Sequence, residues 1–263
     1  MKLKELLNKI LNEQGSLYFL KRAYYQATTK QIKDFDVLKH YFENKKGIEI
    51  GGPSGTFRDS GSIPLYRNIT SLDGYNFAAS TLWEGNITEG STYKFYRNKV
   101  GTQYISEATN LQMTANETYD FLLSSNCLEH IANPLQAVEE WSRVVRKNGL
   151  LLLALPNKAF NFDHNRPITT FEHLLDDYNN KVGEDDLTHF DEIMRLHDLS
   201  LDPAAGTPEQ FRQRSLKNLQ NRALHHHVFS ISLLQKIFAY FNLEVLMTDV
   251  GENHIILGRK AGA

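Results

Sequence analysis

The chain has 263 residues, 41% of them hydrophobic and 23% charged, which is enough for one sizeable core with an elaborate insertion. A formal net charge of -2 excludes a chain-wide basic field for nucleic acid, and a lone cysteine, Cys127, excludes an internal disulfide. No run of about 18 apolar residues is present to span a membrane, and the charged opening MKLKELLNKILNEQGS does not read as a secretory leader, so the cytoplasm is the expected location.

In chain order, Leu3, Leu6, Leu7, Ile10 and Leu11 fall at helical spacing, and a second helix is expected over Thr29–Asn44. Residues 1–45 thus read as an N-terminal helical cap, with the main domain over 46–263. Gly47–Ile50 is a short apolar strand, Ile69–Leu72 a second one closed by Asp73-Gly74, and Gln103–Ser106 a weak third. The aromatic residues Trp83, Tyr93, Phe95 and Tyr96 between them read as core or lid packing. Tyr119–Ser125 is a strong fourth strand. Pro134–Arg146 is a helix with Asn133 as its N-cap, Leu135, Val138, Trp141, Val144 and Val145 on its buried stripe, and Glu139 and Glu140 on the solvated side. Leu150–Leu155 lacks alternation, as expected of a strand buried on both faces. Phe229–Phe241 reads as a helix, followed by an antiparallel strand pair over Leu243–Asp249 and His254–Arg259. Strands alternating with helices imply a mostly parallel sheet. The polar, histidine-rich stretch 160–224 breaks this alternation and reads as an insertion on the acceptor side of a ligand site.

The loop Glu49-Ile50-Gly51-Gly52-Pro53-Ser54-Gly55 follows a strand, and its glycines permit a sharp turn and close approach to a ligand. A carboxylate after the second strand, Asp73, is placed to accept bonds from ribose hydroxyls. Pro53 has no N–H, and the following stretch contains Gly61 and Pro64, so this is a poor cradle for a pyrophosphate. That disfavours a nicotinamide-dependent oxidoreductase and leaves a nucleoside cofactor without phosphate.

Further on stands Ser124-Ser125-Asn126-Cys127-Leu128-Glu129-His130-Ile131-Ala132-Asn133-Pro134, then Trp141-Ser142-Arg143-Val144-Val145-Arg146-Lys147-Asn148-Gly149 and a hydrophobic strand ending in Pro156. On these residues, segment 47–156 resembles the class I S-adenosylmethionine-dependent methyltransferases, in particular the type 11-like members with an "LEH" pattern after strand four. The resemblance implies S-adenosylmethionine as cofactor. It places Glu49 and Gly51 at the methionine end, with Gly52 and Gly55 completing the loop, and Asp73 on the ribose. Glu107 and Ala108 would lie near the adenine, with Asn126 and Cys127 on the cofactor floor. The sequence departs from the family pattern at Pro53, where glycine is usual, and at Glu107, where aspartate is usual. Together with the element order, the resemblance implies a doubly wound, mostly parallel seven-stranded α/β sheet with an antiparallel C-terminal strand and an insertion after strand five.

Methyl transfer asks for in-line alignment, and a hydroxyl acceptor also asks for a base or a metal. His130 reads either as an acceptor-positioning group or as a helix-entry histidine bonded to backbone. Seven of the ten histidines lie between 164 and 227. From these, His164, His189 and His226, with Asp163 and Asp186, are the acceptor-side candidates, and Arg166 is a candidate for an anionic acceptor group. Structural hydrogen bonding is the competing explanation for several of them. No HExxH or Cys/His zinc spacing occurs, and the ligand types leave a bivalent, oxygen-ligated metal ion as an open second cofactor. The expected function is methylation of a small-molecule or sugar-containing acceptor, most simply at a hydroxyl, without a nucleic-acid or membrane partner. The alternative is a methyltransferase-like protein that binds a ligand without turnover.

Overall fold

Strands rich in leucine and isoleucine without alternation need apolar partners on both faces, and they occupy the middle of the sheet. The computed structural model describes residues 31–262. At its centre lie β1 (Lys46–Ile50), β7 (Tyr119–Ser125) and β8 (Val145–Pro156). Their side chains divide by parity. Ile48, Leu122, Leu151 and Leu153 enter one core layer, and Phe121, Leu123, Leu150 and Leu152 enter the other. The helices α2 (Pro134–Val144) and α7 (Ile231–Tyr240) cover the first layer through Leu135, Val138, Trp141, Leu234 and Phe238. The helix α1 (Phe35–His40), with Phe57, Leu65, Tyr66 and Ile69, covers the second.

Seven more strands belong to the described residues: β2 (Ser71–Asn76), β5 (Gly90–Tyr96), β6 (Lys99–Ile105), β9 (Leu243–Val250) and β10 (Asn253–Lys260), and the short β3 (Ser80–Thr81), which pairs with β4 (Gly85–Asn86) as a separate hairpin. The main sheet runs β5-β6-β2-β1-β7-β8-β10-β9. Pairing is parallel from β6 through β8 and antiparallel at both flanks. This is a doubly wound, mostly parallel α/β fold, with eight strands in the main sheet where seven are expected. The added strand is β5, whose Tyr93 and Phe95 point into the core while their neighbours face out.

The second strand is displaced from its expected position. Asp73 and Gly74 do not close it but lie inside it, because each is fitted to its neighbours. The Asp73 carboxylate accepts from the Thr102 backbone N–H and the Tyr119 hydroxyl, both at 2.8 Å. At Gly74 a Cβ would stand 2.2 Å from the Tyr93 ring. The carboxyl end of this strand is therefore Asn76. On α2, Asn133 caps the first turn by accepting from the Gln136 N–H at 3.1 Å. Glu139 is exposed as expected. Glu140 instead accepts from the Leu111 N–H at 2.7 Å and pairs with Arg143.

Of the N-terminal cap, residues 1–30 lie outside the described residues, including the helix expected over 3–11; the described part of the next expected helix is α1. The insertion after β8 carries α3 (Phe171–Asn180), α4 (Phe190–Leu196), α5 (Pro208–Ser215) and α6 (Asn218–Asn221). It has a small core of its own in Ile193, Ala205, Phe211 and Leu224. Among the described residues no helix is long and apolar enough to cross a membrane.

Candidate active site

A cavity opens at the carboxyl ends of β1, β2 and β7. That is where open α/β sheets bind ligands, because the strand order reverses there. Gly51, just past β1, has a φ of 79°, and a Cβ on it would meet the Cys127 sulfur at 2.9 Å. Only glycine satisfies both the backbone and the space. Asn126, just past β7, also takes a left-handed φ, 49°, and its N–H donates to the Ala154 carbonyl at 2.9 Å. Cys127 lies beside it on the floor, where burial pushes its thiol up to about 12. It is a neutral wall group.

Glu49 lies beneath the loop rather than in the cavity. It is fully buried and accepts from Tyr93 at 2.6 Å, from Tyr66 at 2.8 Å and from the Ser54 N–H at 3.0 Å. Burial pushes its carboxyl up to about 7 against those donors. A Cβ at Gly52 would collide with this carboxyl, so Gly52 too serves the underside of the loop. The Ser54 N–H turns back to Glu49, the Thr56 N–H to the Ser54 hydroxyl, and the Gly51 N–H to the Tyr75 carbonyl. These loop donors are committed within the chain, and a phosphate would have to displace them.

Two further residues expected at the cofactor lie away from the cavity lining. Asp73 does not line the cavity; besides its two short bonds it sits 3.5 Å from the Lys46 ammonium. Gly55 opens a 3-10 turn elsewhere, facing a groove shared with Ile32 and Asn253. The residue at the cavity edge is Asn76. Its amide N–H₂ donates to the Gly52 carbonyl at 2.9 Å, and its Oδ1 is buried without a partner. An orphaned acceptor beside a glycine cradle, lined by Ile50, Tyr75 and Ala108, fits a phosphate-free nucleoside with ribose hydroxyls.

The far wall comes from other elements. His130 lies in a 3-10 turn after β7 and lines the cavity. Its Nδ1 lies 3.0 Å from the Leu224 carbonyl. A carbonyl only accepts, so Nδ1 carries the proton and Nε2 holds the lone pair. Burial, then His225, pushes His130 well below the usual imidazole range. His130 thus lines the cavity and is at the same time bonded to backbone. Glu129 stands behind it, 3.9 Å from Nε2, with both oxygens buried and unpartnered, and burial lifts its carboxyl to about 7. His225 packs edge-on to His130 and pairs through Nδ1 with Asp163. Despite burial, His225 and then Arg166 hold the Asp163 carboxyl well below the usual carboxylate range.

The roof is the β3–β4 hairpin and the insertion. The Trp83 ring lies 5.7 Å from His130 and 6.1 Å from Phe77. Arg222 reaches across from the insertion, pairs with Glu107, lies 3.5 Å from Glu184 and stacks over Phe77. Glu107 and Ala108 line the cavity as expected, although the Glu107 carboxylate also carries this ion pair.

The other acceptor-side candidates lie outside the cavity lining. His164 pairs with Asp198 at 2.9 Å, away from the cavity lining. His226 is buried against the Asn218 amide, with Asp186 4.0 Å away. His189 packs against His173. Arg166 is 1% exposed and saturated by Asp163, Glu192 and the carbonyls of His225 and His226, so it has no face for an acceptor anion. The sequence reading missed Tyr75, Asn76, Glu184 and Arg222. Asn76 was within reach had the second strand been extended through Gly74; Arg222 carries no local signal.

Residues 67–153 match the family described as methyltransferase domain. No curated protein matches the chain. Among solved structures, a Thermotoga maritima protein described as an S-adenosylmethionine-dependent methyltransferase and possible histamine N-methyltransferase is 15% identical, with 94% of this chain and 97% of that one covered at a TM-score of 0.46. A Methanosarcina mazei S-adenosylmethionine-dependent methyltransferase is 14% identical over 86% of this chain and 97% of its own, with a TM-score of 0.47. One from Aquifex aeolicus is 12% identical over 86% and 89%, with a TM-score of 0.41.

Proposed function

We propose that the chain, whose residues 67–153 match a methyltransferase domain, is a class I S-adenosylmethionine-dependent enzyme that methylates a hydroxyl of a small-molecule or sugar-containing acceptor, with His130 receiving the hydroxyl proton. The observation that carries this reading is the pairing of one cavity with two unlike walls. Gly51, Asn76, Asn126 and Cys127 form the cofactor side, and His130 stands opposite beneath the insertion.

The bound cofactor supplies a methyl group on an electrophilic sulfonium. The chain's residues align the partners and handle one proton. Gly51 lets the backbone approach, and the unpartnered Asn76 Oδ1 accepts from a ribose hydroxyl. Glu107 and Ala108 flank the adenine. A cofactor held here would supply the methyl group and retain the bonding electron pair, and His130 Nε2 takes the proton that the acceptor hydroxyl gives up. Glu129, 3.9 Å from that nitrogen, stabilises the imidazolium that forms. The apolar walls exclude water, which strengthens these interactions.

The test combines calorimetry with the demethylated cofactor and methyl transfer from labelled cofactor to panels of sugars, nucleotide sugars and phenols. His130→Gln is expected to leave cofactor affinity within about twofold and to lower turnover by roughly 10²–10⁴-fold. Tight cofactor binding with no acceptor methylated would favour a ligand-binding protein without turnover. Undiminished turnover in His130→Gln would remove the proposed proton acceptor.

A further inference from the structure

We propose that the insertion is stapled by one transition-metal ion of the zinc type, held by His173, Asp177, His189 and His227. These residues come from three separate segments. His173 and Asp177 stand four apart on α3, and so on one face of it. His189 is the residue preceding α4, and His227 lies in the strap that leads into α7. One ligand atom from each lies within 4.8 Å of every other.

The spacing is that of a coordination shell. His173 Nε2 is 3.0 Å from His189 Nε2 and 3.3 Å from Asp177 Oδ2. Four donors at zinc bond lengths in a tetrahedron stand about 3.3 Å apart. Two imidazole nitrogens facing each other share at most one proton between neutral rings, whereas two lone pairs turned toward one cation need none. The buried atoms point the same way. Among the described residues Asp177 Oδ2 has no hydrogen-bond partner, nor does His227 Nδ1 in a residue that is 1% exposed. His227 Nε2 is 3.1 Å from the Ala132 carbonyl, which fixes its proton there and leaves the lone pair on Nδ1. A metal-bound histidine normally anchors its second nitrogen in this way.

Three imidazoles and one carboxylate form a borderline donor set suited to zinc, not the all-oxygen shell of magnesium or calcium. Four protein ligands leave no open position, as in structural sites. None of the four lines the catalytic cavity. The site instead ties α3, the start of α4 and the 227 strap to the turn that carries His130. That turn is reached through the His227–Ala132 contact and through the Asn133 amide, which donates to the Asp177 carbonyl at 3.1 Å.

The experiment uses the full chain, stripped with a chelator and titrated with Co²⁺ and with Zn²⁺ against a chromophoric competitor. The expected result is one equivalent bound, an intense visible cobalt spectrum of tetrahedral type, and a higher thermal midpoint on adding Zn²⁺. His173→Gln, at a partly exposed position, and the isosteric Asp177→Asn both keep the fold testable. Each is expected to weaken Zn²⁺ binding by more than the roughly 10–100-fold seen on loss of an outer-shell partner, and to abolish the thermal shift. A weak six-coordinate cobalt spectrum, no binding to the wild-type chain, or unchanged binding in both variants overturns the site.

Discussion

Glu49 is a carboxyl with no counter-charge, held by two tyrosine hydroxyls and one amide under the cofactor loop. Burial lifts it from 4.5 to about 7, so between those values the folded chain keeps a proton that the unfolded chain releases. Its contribution to stability is complete below pH 4.5, declines as pH rises, and is gone above about 7, a fall of roughly 3 kcal/mol for a fully buried group. Glu49→Gln removes the titration, so urea midpoints at pH 5 and pH 8 should lie closer together than in the wild type. A variant that tracks the wild type across this range would show that the proton is not held there. The same loop separates two polar residues that the sequence could not tell apart. Asp73 lies 24 residues beyond Glu49 and reads naturally as the ribose carboxylate, but strand pairing turns it toward Thr102 and Tyr119. Asp73→Asn is expected to lower stability by about 1–3 kcal/mol and to leave cofactor affinity unchanged. Asn76→Ala should weaken that affinity by roughly tenfold, since a hydrogen bond of about 1.4 kcal/mol is lost. Calorimetry on both variants distinguishes a structural carboxylate from a ligand contact, and the opposite pattern would restore Asp73 to the ribose.

At the level of elements, legibility followed the strength of each strand's own hydrophobic pattern. Tyr119–Ser125 was read to the residue, because its run of buried side chains is closed by the left-handed turn at Asn126. The strand β5 escaped because its outward residues are polar and only Tyr93 and Phe95 turn inward. Only the second half of β6 was legible, as Gln103–Ser106: Gly101 weakens the pattern of the first half, yet that glycine is what lets the strand lie against β2. A Cβ there would sit 1.8 Å from the Leu72 carbonyl oxygen, a rigid backbone atom. Gly101→Ala is therefore expected to push β6 off its neighbour and to destabilise by about 3 kcal/mol or more, measured as the denaturation midpoint. Gly55→Ala is the contrasting case. Nothing lies within 4 Å of its Cβ, so it should shift stability by no more than about 0.5 kcal/mol and leave cofactor binding intact. Equal losses from the two substitutions would mean that local backbone freedom, and not the β2–β6 approach, sets the requirement for glycine.

Across the whole molecule, the insertion and the sheet share one cavity, and their joint was hidden from the sequence by distance. The histidine-rich stretch stood out as a cluster in sequence. Its members nevertheless part company in space: His225 joins His130, His189 joins His173 and His227, and His164 goes to Asp198. Arg222 is 115 residues from Glu107, and no local pattern foretells their ion pair. That pair ties the insertion to the cavity edge, and Arg222 also faces Glu184, whose carboxyl burial lifts to about 7 in spite of the arginine's pull. Arg222→Met keeps the packing over Phe77 and removes the charge from both carboxylates. If the joint governs cofactor residence, this variant should release the demethylated cofactor roughly tenfold faster in stopped-flow dilution, with a smaller change in the association rate. Glu107→Gln should speed release less, because Arg222 keeps Glu184 as a partner. The double variant should then be no faster than Arg222→Met alone, a non-additivity of the size expected for residues in direct contact. Additive effects would mean that the two side chains hold the cofactor separately and that the insertion does not close through their contact.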